Sequence, residues 1–185
     1  MDKKLLTVIG ILSALLLLYF INIGVQNSYS ADTSSFFSIT EDSISKVVIS
    51  SSQDAIELTK TDTSWAISGN DTLQIKKDMI SNLFDRMSNL EKHHLVTSKE
   101  ENWDIYNVSS EKGTHLAFIN QEGNTAAYYV FGRSLTEYNR CYVRMNQDSA
   151  VYLLNNNIIY QLQVTPTFWG EVPQSLIDDE TKDIN

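Results

Sequence analysis

The chain is 185 residues long, with 23 acidic side chains against 14 Lys and Arg, a net charge of −9 and a single cysteine. A surface this acidic repels phosphate backbones, so nucleic acid is not an expected partner, and one cysteine leaves no internal disulfide even in an oxidising compartment. The seven glycines are scattered, without a GxxxxGK or GxGxxG phosphate cradle, so any energy coupling has to come from another protein.

The apolar run from Leu5 to Ile21, continued to Val25 past Asn22, has the length of a bilayer-spanning helix. Lys3 and Lys4 precede it and no Lys or Arg follows before Lys46, which leaves the N-terminus cytoplasmic and everything beyond Val25 outside. The expected localisation is therefore the cell membrane, single-pass, with an extracytoplasmic C-terminal domain. A cleaved secretion signal is the alternative, because Ser28, Ser30 and Ala31 offer small residues at a cleavage position, although the apolar core is long for one. The only cysteine is Cys141, so no lipoprotein attachment site exists near the N-terminus. Residues 1–25 are thus read as cytoplasmic tip and anchor, and the Ser-, Thr- and Asn-rich residues 26–41 as a flexible linker.

From residue 42 the pattern has mostly period two. Residues 46–50 (KVVIS), 55–59 (AIELT) and 64–68 (SWAIS) predict three short strands in a meander. Trp65 shares a strand face with Ile67 and is expected to plug the gap between this sheet and the following helix. That helix is predicted where Met79, Ile80, Leu83, Phe84, Met87 and Leu90 recur at three and four spacings, with Lys76, Lys77, Asp78, Asp85 and Arg86 away from the stripe. Strands resume at 114–120, 125–132, 140–145 and 150–154, and the short links 121–124 and 146–149 predict two hairpins of a second sheet. A last short helix is expected around Ile158, Ile159 and Leu162, before an acidic mobile tail over 171–185. The fold class these elements predict is α+β: an N-terminal single transmembrane helix, then an extracytoplasmic domain over 42–170 of antiparallel hairpins with an amphipathic helix on one face.

Few side chains are placed for chemistry. Adjacent His93 and His94 point in different directions on a regular strand or helix, and with His115 they exhaust the histidines, so no metal site is expected. Cys141 alternates with Val143 and Met145 on one strand face, opposite Arg140, Tyr142 and Arg144, and reads as a small buried residue. The acid pairs Glu41-Asp42, Glu100-Glu101 and Asp178-Asp179 read as solvated charge, and no GxSxG elbow accompanies the serines. No catalytic, cofactor-binding or metal-ligating residue is assigned, and no cofactor is implied. Tyr128, Tyr129, Tyr138, Tyr142 and Tyr152 lie on or beside the second sheet. They either pack across strands or offer a contact surface to a sugar or a protein.

The order of a strand pair with Trp65, an amphipathic helix, Trp103 to Val108 (WDIYNV), Phe131 to Ser134 (FGRS), Tyr142-Val143-Arg144 and Val151 to Leu154 (VYLL) resembles the family named domain of unknown function 4340 over about residues 42–160. One departure is that Asn107 stands where the family usually has Gly after the Tyr. Asn is the residue that best tolerates a left-handed backbone after Gly, so the turn can survive. The resemblance implies a membrane-anchored envelope protein associated with ABC-type transport or gliding motility, with a membrane-protein partner such as an ABC-type permease, and no catalytic residues. The expected function is an extracytoplasmic accessory or binding domain without catalysis of its own. An envelope hydrolase acting on glycans or peptides and a structural spacer are the alternatives.

Overall fold

The computed structural model describes residues 37–173 apart from 63 and 147. The anchor over 1–25, most of the 26–41 linker, Asp178-Asp179 and nearly all of the 171–185 tail lie outside the described residues.

Ten strands form one sheet: β1 (Ile44–Ser50), β2 (Ala55–Lys60), β3 (Trp65–Ile67), β4 (Gln74–Ile75), β5 (Lys92–Thr97), β6 (Thr114–Asn120), β7 (Thr125–Arg133), β8 (Cys141–Met145), β9 (Val151–Leu154) and β10 (Gly170–Glu171). Their spatial order is β10-β4-β3-β2-β1-β6-β7-β8-β9-β5, and every pairing is antiparallel. Among the described residues two α-helices accompany them, α1 (Met79–Ser88) and the single turn α2 (Pro166–Trp169).

The central rows show why these segments pair as they do. Val47 sits opposite Leu58 on one side and Phe118 on the other, while Ile49 sits opposite Ile56 and Leu116. All six are buried, so a slip of one residue would turn the whole row toward water. Onto this face α1 lays Ile80, Leu83, Phe84 and Met87. The Phe84 ring meets Phe118 at 5.3 Å and Phe37 at 6.0 Å between centroids.

These findings correct the α+β assignment. The domain is mostly one large antiparallel sheet with few helices, and no helix among the described residues is long and apolar enough to cross a membrane. The two expected sheets are one, because β1 pairs along its length with β6, across the helix and everything else that separates them in sequence. Three strands had no period-two signature to reveal them. β4 and β10 are two residues each, and β5 shifts register against β9 twice, between Lys92 and His94 and between Leu95 and Thr97. The expected helix around Ile158 to Leu162 is only a 3-10 turn, Ile159–Gln161. The core also reaches back into the presumed linker, where Phe37 is buried against Phe118 at 5.2 Å.

The second sheet face is covered at one end. Between β5 and β6, residues 98–113 run as a strap of tight turns beneath β7, β8 and β9, burying Val108 against Val130 and Val151, with Trp103, Tyr106, Tyr128 and Tyr142 around them. Coverage of both faces explains why Tyr129, Val130, Phe131 and Gly132 are consecutively buried. Asn107, in this strap, has φ 55, the left-handed conformation for which Asn substitutes for Gly.

Candidate functional site

The structure places the sequence-predicted residues other than Asp178 and Asp179. Trp65 is buried in the main core and its indole donates to Glu41 Oε1 at 3.0 Å, so the ring seals one end of the sheet and its one polar atom is satisfied. Asp42 pairs with Lys60 at 3.3 Å and Glu101 with Lys99 at 3.4 Å; both are exposed pairs of little energetic weight. Cys141 is fully buried, its Sγ donates to Asn156 O at 3.4 Å, and burial pushes its thiol up to about 12, which removes the thiolate a nucleophile needs. His93 and His94 do not diverge as a regular strand requires. The register shift beside them brings the two rings edge to face at 5.1 Å. Among the described residues no group of three or more His, Cys, Asp or Glu side chains is gathered to hold a metal ion.

The five tyrosines divide into four sets, of which Tyr128 forms one by itself. Tyr129 belongs to the main core, where burial pushes its phenol up to about 12. Tyr142 meets Tyr106 of the strap edge to face at 4.9 Å, and Tyr152 carries the Lys92 ammonium 5.0 Å over its ring. Tyr138 alone of the predicted set is open to solvent, at 75%.

Tyr128 pins the strap through His115. The His115 Nε2 lies 3.0 Å from Ser110 O, and because a carbonyl only accepts, Nε2 carries the proton and Nδ1 accepts the Tyr128 hydroxyl. Burial holds His115 below the usual histidine range; the Ser110 carbonyl opposes the shift and the Arg144 charge adds to it. The folded state therefore resists a proton that the unfolded chain takes up near pH 6.5, so this contribution is complete above that pH and is lost as pH falls through the lowered value. Urea midpoints are expected to fall between pH 7.5 and 5.5, and His115→Gln is expected to flatten that part of the profile; equal slopes would contradict the assignment.

Sequence reasoning missed the feature that gathers around Tyr138. Leu135, on the same loop as Tyr138, is 73% exposed, and Tyr160, on the 3-10 turn Ile159–Gln161, is 57% exposed. The Arg133 guanidinium lies over the Tyr160 ring at 5.8 Å, the Asn157 side chain donates to Tyr138 O at 2.9 Å, and Phe131, Arg133, Leu135 and Ile159 line one hollow of about 360 Å³. The loop that carries Leu135 and Tyr138 is braced: Glu137 N donates to the buried Ser134 hydroxyl at 3.1 Å, and Arg140 pairs with Glu137 at 3.1 Å. Single exposed apolar residues are ordinary, but three on segments linked by the Asn157–Tyr138 and Arg133–Tyr160 contacts make up one candidate ridge. The available signal was in the residues themselves, since Tyr160 falls off the Ile158, Ile159 and Leu162 stripe.

The sequence profile of a family described as Domain of unknown function (DUF4340) matches residues 65–171, more than half of the chain. No curated protein matches it. No solved structure matches it either.

Proposed function

The chain belongs to the family described as domain of unknown function 4340, and from that premise we propose that it is a membrane-anchored, extracytoplasmic binding domain, an accessory part of an envelope complex with no catalysis of its own. The observation that carries this reading is the ridge of Leu135, Tyr138 and Tyr160 on a braced loop and turn. Bracing matters because a surface already held in one shape loses little side-chain and loop entropy when it binds. The N-terminal apolar run supports the anchor, and the two lysines ahead of it support the outward orientation. An ABC-type permease or a gliding-motility component is the partner that the family resemblance suggests.

Co-purification of the full chain from detergent after crosslinking in intact cells tests the reading. Leu135→Glu combined with Tyr138→Ala is expected to reduce recovery of a membrane partner at least about tenfold, the loss typical of truncating an aromatic anchor. The same exposed changes are expected to leave stability within about 0.5 kcal/mol. Recovery of monomer alone from the unmodified chain would overturn the proposal.

A further inference from the structure

A groove runs between α1 and the C-terminal segment, with Gln161 of the 3-10 turn Ile159–Gln161 among its lining residues. Met79, Asn82 and Arg86 face it at helical spacings of three and four, and Gln161 and Phe168 form the opposite wall over the buried Trp169. Its main hollow measures about 350 Å³ and continues past Arg86 into a second of about 190 Å³, where Asn89 and Asn157 are among the lining residues. α1 has ten residues, so the groove follows a helix of roughly 15 Å.

Its charge is the opposite of the molecule's. The chain carries a net −9, yet no carboxylate lines either hollow, and the neighbouring Asp85 is absent from both walls. Lys76 already directs its ammonium to Thr167 O at 2.8 Å and Phe168 O at 3.0 Å. Arg86 makes no ion pair or hydrogen bond through its side chain among the described residues, and neither do the side chains of Asn82 and Gln161 make hydrogen bonds there. An uncommitted guanidinium, two uncommitted amides and the apolar Met79 and Phe168 thus line one hollow.

We propose that this groove binds an extended peptide segment of a partner protein, one that presents an apolar side chain close to a carboxylate. The carboxylate takes the fork of Arg86, which matches its geometry with two parallel N–H donors. Asn82 and Gln161 each offer both a donor and an acceptor, which suits the alternating N–H and C=O groups of an extended backbone. The apolar side chain settles on Met79 and Phe168. The proposal stands apart from the ridge, which contributes no residue to these walls.

The four methionines make the test direct, because the ¹³C-methyl signal of Met79 lies in the groove whereas Met145, on β8, lies outside it. The full chain in detergent is titrated with acetyl-Ala-Leu-Asp-Ala-amide, with the same peptide carrying Asn in place of Asp, and with tetragalacturonate as an anionic glycan. The expected result is a shift of the Met79 signal and not of Met145, with the Asp peptide binding at least about tenfold more tightly than the Asn peptide, as a charge-assisted pair implies. Arg86→Gln is expected to abolish that preference, while Asp85→Asn and Tyr138→Ala keep it. Equal binding of the two peptides, a preference that survives Arg86→Gln, tighter binding of tetragalacturonate, or an unmoved Met79 signal at millimolar peptide would each overturn the proposal.

Discussion

Gly132→Ala is expected to destabilise the domain by about 3 kcal/mol, at the upper end of what overpacking a buried position costs. Gly132 lies on β7 where the strap crosses it. A Cβ added there would stand 1.9 Å from Tyr106 O, 2.8 Å from Asn107 O and 2.8 Å from a Val108 methyl. Two of these three neighbours are backbone atoms, which cannot swing aside as a side-chain tip can. The only relief is for the strap to lift, and the strap carries Val108, which is fully buried, together with Trp103 and Tyr106. Gly123→Ala is the informative comparison: its φ of 84 makes an alanine strained, but nothing lies within 4 Å of the added carbon. That change is expected to cost only about 1 kcal/mol. Urea unfolding followed by far-UV circular dichroism measures both, and a Gly132→Ala midpoint equal to that of Gly123→Ala would show that the strap does not press on β7.

The same region shows where sequence pattern was informative and where it was silent. Strands β1, β2 and β6 were legible because each alternates around a single buried face, β7 because it is a run of β-branched and aromatic residues after a hairpin turn, and α1 because its apolar stripe repeats at helical spacing. The left-handed turn at Asn107 was legible for a local reason too, the tolerance of Asn for positive φ. What could not be read was long-range. The β1 to β6 pairing that merges two hairpin groups into one sheet leaves no mark on either strand alone. The two-residue strands β4 and β10 exist only because their neighbours hold them, and the register shifts in β5 erase its alternation. Of the candidate site, Tyr138 was in view as one tyrosine among five. Its exposure follows from its place in the turn after β7, whereas Tyr129, on β7, is buried in the core that α1 covers.

Arg144 is the sharpest case of such a hidden role, and Arg144→Ala is expected to cost about 3 kcal/mol, comparable to breaking a buried charged contact. The alternation of β8 assigned Arg144 correctly to the face opposite Cys141 and Val143, a face on which a cation ordinarily meets water. The strap closes over it instead, leaving it 7% exposed. Among the described residues no carboxylate pairs with it; its Nε donates to Val108 O at 3.2 Å, one terminal nitrogen donates to Asn146 O at 2.9 Å, and the guanidinium lies 4.0 Å from the centre of the Trp103 ring. Desolvation works against the charge and lowers its pKa, yet the group stays protonated because an arginine begins so high. Truncation relieves that desolvation but leaves the Val108 carbonyl buried without its donor, removes the cation from the Trp103 face and opens a void beneath the strap. Arg144→Lys retains the charge, but a single ammonium cannot serve both carbonyls and stack on the indole, so it is expected to recover less than half of the loss. Urea midpoints of the two variants measure the balance. A lysine variant as stable as the unmodified protein would mean that charge alone holds the strap, and that the planar fork over Trp103 contributes nothing.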